Sequence, residues 1–133
     1  MSTAKVVYLG DLRTECTHLA SGDSYLTDAP LDNQGRGESF SPTDTVATGL
    51  ANCMLTVIGI KARVLGVSMD GAIAEVTKVM NANPRRISEI KVIITFPKGV
   101  SEKNQKILEN TGRTCPVALS LHSEIIQEIQ FNW

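Results

Sequence analysis

Residues 41–66, Ser41-Pro42-Thr43-Asp44-Thr45-Val46-Ala47-Thr48-Gly49-Leu50-Ala51-Asn52-Cys53-Met54-Leu55-Thr56-Val57-Ile58-Gly59-Ile60-Lys61-Ala62-Arg63-Val64-Leu65-Gly66, decide the fold. Ser41 suits an N-cap, Pro42 the first helical position, and Asp44 the third position of a capping box. Gly66 stands where a left-handed residue ends a helix. These marks predict a helix over 42–65, about 36 Å long at 1.5 Å per residue. From Thr45 to Ile60 it carries no charge on any side. A helix apolar all round has to be covered all round. The rest of a 133-residue chain reads largely as strand, so a second copy of the chain is the simplest cover and a homodimer is expected. Sixteen helical residues span about 24 Å, short of the roughly 30 Å of hydrocarbon in a bilayer. A buried core helix, with no membrane partner, is the reading.

Outward from this helix, three short strands precede it. Lys5–Leu9 is β-branched and aromatic and ends at Gly10-Asp11; 13–19 is again extended; 20–23 is a turn; 24–27 is a third strand. Residues 28–40, with Pro30, Gly35 and Gly37, form a loop. After the helix, 72–80 and 87–96 read as a strand pair around Asn81-Ala82-Asn83-Pro84, the second alternating Ile90, Val92, Ile94, Phe96. Ser101 caps a second helix whose Asn104, Ile107, Leu108 and Thr111 share a face and which Gly112 ends. A short helical turn starts at Cys115-Pro116, and Ile125, Gln127, Ile129 and Phe131 alternate in a last strand. The order predicts an α+β domain over 1–133, a largely antiparallel sheet wrapped on a long buried central helix.

Composition excludes several classes. The net charge of −1, with scattered basic residues, disfavours a nucleic-acid partner. There is no basic-plus-apolar leader before Lys5, and three cysteines without dense spacing do not make a secreted disulfide framework. A reducing cytoplasm is the expected location.

The cysteines are the candidates for chemistry. Cys53 sits mid-helix, 53 − 41 = 12 residues past the cap, where the helix dipole contributes little. Position alone favours a small buried hydrophobe, and a thiolate there would need a cation brought from elsewhere in the fold. Cys115, before Pro116, sits at a helix start whose unpaired N–H groups favour negative charge, so local physics makes it the more acidic thiol. The two are 115 − 53 = 62 positions apart. Cys16 and His18 point to one side of a strand, but no CxxC or HxxxH accompanies them and no metal is expected. A cysteine protease is equally unsupported, since Cys53 is not at a helix N-terminus and neither histidine has an evident orienting partner.

Ser41-Pro42-Thr43-Asp44, the small apolar run to Ala51-Asn52-Cys53, and Thr114-Cys115-Pro116 far downstream together resemble the OsmC/Ohr family. The resemblance covers nearly the whole chain. It implies an intertwined homodimer and the reduction of organic hydroperoxides without metal or organic cofactor. It also implies Cys53 as the thiol that peroxide attacks, Cys115 as the resolving thiol, and an external dithiol as reductant. The activating arginine of the family comes from the first hairpin, which points to Arg13, with Arg36 as the fallback. Family hydroperoxidases usually carry glutamate directly after the helix-opening proline, where it orients that arginine. Here the position is Thr43, and Asp44 either replaces the acid or caps the helix. That departure keeps two other classes open: an apolar small-molecule-binding protein of the same fold, and a redox-sensing thiol switch.

Overall fold

The computed structural model describes all 133 residues, in two compact units, Met1–Thr45 and Val46–Trp133. The first holds strands β1 (Ala4–Gly10), β2 (Arg13–His18) and β3 (Ser24–Asp28) and a 3-10 turn (Leu31–Asn33). Helix α1 (Pro42–Leu65) begins at its end. The second unit continues with β4 (Ile73–Asn81), β5 (Arg86–Thr95), α2 (Glu102–Arg113), α3 (Pro116–Ser120) and β6 (Ile126–Asn132).

Helix α1 has the predicted limits, and its caps show why. The Asp44 N–H donates to Ser41 Oγ (3.1 Å) and the Ser41 N–H to Asp44 Oδ2 (2.9 Å), the reciprocal capping box. At the other end Gly66 takes φ +71°, its N–H reaches the Arg63 carbonyl, and the Val67 N–H reaches that of Ala62. That is the two-bond closure that a left-handed C′ residue permits.

The pairing is largely antiparallel, as expected, but it is divided between two sheets and not gathered in one. Two three-stranded sheets form, β1-β2-β3 and β4-β5-β6. Every pair is antiparallel except β5 with β6, which is parallel. The reason is the connection: α2 and α3 lie between β5 and β6 and return the chain to its starting end, as a parallel pairing requires. A second difference concerns Gly112, which does not end α2. The helix runs on to Arg113 and Thr114 caps it. Gly112 is where α2 crosses α1; a Cβ there would stand 2.8 Å from Ile58 Cδ1 and 3.5 Å from Met54 Cε. The glycine answers a close approach, not a chain reversal.

The core belongs to the second unit. One stripe of α1 (Ala47, Leu50, Ala51, Met54, Ile58, Ala62) is buried with Ile90, Val92 and Ile94 of β5, Leu108 of α2, and Cys115. The alternation read in β5 is the alternation observed. In the single chain the other side of α1 is open, as expected of a helix that one chain cannot cover: Val46, Ile60 and Val64 are 43%, 60% and 74% exposed. By length and composition α1 is also the one helix that could cross a membrane, yet its buried stripe makes it the core helix of this unit. Trp133 closes the unit, stacked on Phe96 at 3.8 Å between centroids, with its indole N–H donating to Glu109 (3.0 Å).

Candidate functional site

Cys53 lies on α1 beside the buried stripe and is itself only half-buried, packed against the core. Cys115 is 1% exposed and forms the N-cap of α3, its sulfur accepting the Ala118 N–H at 3.4 Å while Pro116 occupies the first helical position. The two thiols are neighbours, near enough for Cys53 to raise the pKa of Cys115. Both are free thiols.

The acidity expected of Cys115 from its helix start is overturned. Burial, the largest cause, pushes its pKa up; the Ala118 N–H pulls it down by less, and the Cys53 sulfur adds to the rise. A helix of five residues offers a weak field, and desolvation of a thiolate outweighs it. Cys115 is therefore held protonated, which suits a thiol that waits.

Arg13 is fixed by the first hairpin. Gly10, Asp11 and Leu12 all take positive φ (+87°, +53°, +63°), so the two central residues of the turn are left-handed, as a tight type I′ reversal demands. Leucine rarely adopts that conformation; here the Tyr8 hydroxyl accepts the Leu12 N–H (3.3 Å) and the Leu12 carbonyl accepts the Ala29 N–H (3.2 Å). Arg13 then opens β2 opposite Asp28 of β3. Its Nη2 donates to Glu38 Oε2 at 2.9 Å and to Asp28 Oδ2 at 3.4 Å. Asp28 is 1% exposed, and its Oδ2 also accepts the Glu38 N–H (3.0 Å). Its carboxyl is held below the ordinary value, first by that N–H and then by Arg13, against the opposing cost of burial. Arg13 is raised above its ordinary value, foremost by Glu38. These three residues border a cavity of about 180 Å³ with Leu26, Thr27 and Ser39.

Reading the sequence missed both acids. Asp28 could have been found from register: a hairpin turn at 19–22 pairs His18 with Asp23 across its mouth, and counting back five residues on each side sets Arg13 against Asp28. Nothing local marks Glu38, which reaches Arg13 from an aperiodic loop. Asp44 serves as the cap of α1 described above. Arg36 is exposed in the loop before α1.

Cys16 is half-buried in β2, in register between Val6 and Tyr25; its sulfur lies 3.9 Å from Thr14 Oγ1, and it raises the pKa of the Tyr25 hydroxyl. His18 turns instead to Ser21, Nδ1 to Oγ 2.6 Å. No three His, Cys, Asp or Glu side chains converge as a metal site would require.

The chemistry open to this arrangement is thiol chemistry. A half-exposed sulfur can meet an oxidant, and a buried thiol near it can condense with the oxidised product to a disulfide.

Three comparisons bear on what the chain is. The family model described as OsmC-like protein matches residues 35–130. A Psychrobacter arcticus structure, described as an osmotic stress induced and detoxification response protein, shares 56% identity at a TM-score of 0.96, over 99% of this chain and 96% of that one. An organic hydroperoxide resistance protein OsmC of Legionella pneumophila shares 15% identity and a TM-score of 0.79, covering 100% and 97% of the two chains. The organic hydroperoxide resistance protein OhrB of Bacillus subtilis shares 16% and 0.69, covering 98% of each. These last two establish likeness of fold alone. No curated protein matches the chain in sequence. With its α+β architecture and a family model spanning most of its length, this chain belongs to the OsmC-like protein family.

Proposed function

We propose that the chain is a thiol peroxidase that reduces organic hydroperoxides through Cys53 and Cys115. The observation that carries the reading is the nearness of a half-exposed and a buried free thiol from remote parts of the sequence, felt in the raised pKa of Cys115. The Cys53 thiolate attacks the distal peroxide oxygen; the O–O bond breaks, the alkoxide leaves and takes a proton as alcohol, and sulfur becomes a sulfenic acid. The Cys115 thiol condenses with it, releasing water and forming a disulfide of about 2.05 Å. An external dithiol reduces that disulfide by exchange. Arg13 supplies the positive charge that favours the Cys53 thiolate, and Asp44 contributes by fixing the start of the helix that carries Cys53. No cofactor takes part. The apolar surroundings of Cys53 suit lipid-like or aryl hydroperoxides.

The working form is a homodimer in the cytoplasm. The outer side of α1 and the first sheet support it: Val6, Tyr8, Leu9 and Tyr25 are 60%, 65%, 53% and 53% exposed. Apolar surface on this scale marks an interface.

Cys53→Ser abolishes consumption of cumene hydroperoxide, whereas Cys115→Ser completes one turnover and stalls as sulfenic acid, trapped by a dimedone probe. Full turnover by Cys53→Ser sinks the assignment. A second reading, binding without catalysis, is favoured by Thr43 in the position of the family glutamate and by a cavity of about 300 Å³ beside α1, lined in part by Leu55, Ile60 and Met69. Stopped-flow oxidation separates the two, because a bimolecular rate no faster than that of free cysteine supports binding alone. A redox sensor would form the disulfide without sustained turnover.

A further inference from the structure

We infer that Gln127 is a positioning residue for Cys115: by donating to the Ala118 carbonyl it holds the short helix that Cys115 caps, and so keeps that thiol in place near Cys53. The inference rests on the peroxidase reading, in which Cys115 resolves the oxidised Cys53, and adds to it a residue of β6.

Gln127 stands where the strand pattern calls for an apolar side chain. The row Ile125, Gln127, Ile129, Phe131 alternates toward the core. The parallel register sets Gln127 against Ile90, Ile129 against Val92 and Phe131 against Ile94, three β5 residues with no exposure. Gln127 is the one polar side chain in either row, and an amide on the core side of a sheet costs free energy unless it is paired. Its Nε2 donates to the Ala118 carbonyl at 2.9 Å. That carbonyl belongs to the last turn of α3, where a helix leaves its C=O groups without partners of its own.

Helix α3 needs such a tie. It has five residues, too few to hold a helical shape unaided, and none of them is fully buried. Ala118 is gripped on both sides, its N–H donating to the Cys115 sulfur at 3.4 Å and its carbonyl accepting from Gln127. Without the second bond the short helix frays and its cap sulfur wanders, and a thiol that visits many positions spends less time where it can react. The step at stake is closure of the disulfide. The Cys115 sulfur attacks the Cys53 sulfenic sulfur; the S–S bond forms, the S–O bond breaks, and the oxygen leaves as water with the thiol proton. Attack on the hydroperoxide uses Cys53 alone, so Gln127 acts on the second step and not on the first.

Rapid quenching after mixing with cumene hydroperoxide, read by mass spectrometry, separates the two steps: loss of the Cys53 thiol reports attack, and appearance of the Cys53–Cys115 disulfide reports closure. Gln127→Met keeps the length of the side chain and joins the apolar row but loses the donor. It oxidises Cys53 at the parent rate and closes the disulfide about five- to tenfold more slowly, with dimedone trapping the sulfenic acid in the interval. Gln127→Lys, which keeps a donor, recovers part of the closure rate. Closure by Gln127→Met at the parent rate or faster, both steps slowed alike, or a Gln127→Lys as slow as Gln127→Met overturns the inference and leaves the peroxidase reading standing. If the parent protein itself forms no Cys53–Cys115 disulfide, the reading falls and the inference with it. Gln127→Glu, alike in shape with an acceptor in place of the donor, decides the same point should Gln127→Met not be recovered folded.

Discussion

Asp28 joins the site to the stability of the first unit. Its carboxyl titrates below the ordinary value of about 3.9. A lowered folded-state pKa contributes stability that is complete above the unfolded value and is lost as pH falls through the folded one. Melting temperature should therefore hold from neutrality to about pH 4 and fall below it. Asp28→Asn should flatten that acid limb, and a variant with the same acid limb as the parent would show that Asp28 is not its cause. The two cysteines teach a related lesson at this scale. Sequence position ranked Cys115 the more acidic because a helix start is visible in Thr114-Cys115-Pro116, while its burial depends on residues far along the chain. The partners of Arg13 were hidden for the same reason, one set by strand register and the other by an aperiodic loop.

Among the elements, α1 was legible to the residue because its limits are set by local chemistry: a hydroxyl and a carboxylate exchanging bonds at one end, a left-handed glycine at the other. Ser41→Ala removes the acceptor for the Asp44 N–H in a residue only 2% exposed, and should cost about 1 kcal/mol in chemical denaturation. Leu108→Ala, at a position with no exposure at all, should cost about 2–5 kcal/mol by the same measurement. The parallel pairing of β6 with β5 was not legible, since alternation in Ile125–Phe131 says that a strand exists and nothing about which neighbour it takes or in which direction. Gly112 was misread because a glycine near a helix end has two uses, and contact with Ile58 is a property of the packed pair α1–α2.

For the whole molecule, the decisive contrast is between a second unit with a buried apolar core and a first unit whose sheet shows apolar side chains to solvent. Few chains keep so much exposed apolar surface without a partner. On the homodimer proposal, a charge placed on the outer side of α1, as in Ile60→Glu, should shift the protein toward monomer in sedimentation velocity while the α1 stripe and β5 keep their packing. A variant that sediments as the parent does would remove that side of α1 from the interface. The stacking of Trp133 on Phe96 has a use beyond packing. Trp133 is the sole indole and belongs to the second unit, while both phenols, Tyr8 and Tyr25, belong to the first. Each half of the chain thus carries its own fluorophore, and one denaturation followed by indole and by tyrosine emission reports whether the halves melt cooperatively as one body or in succession.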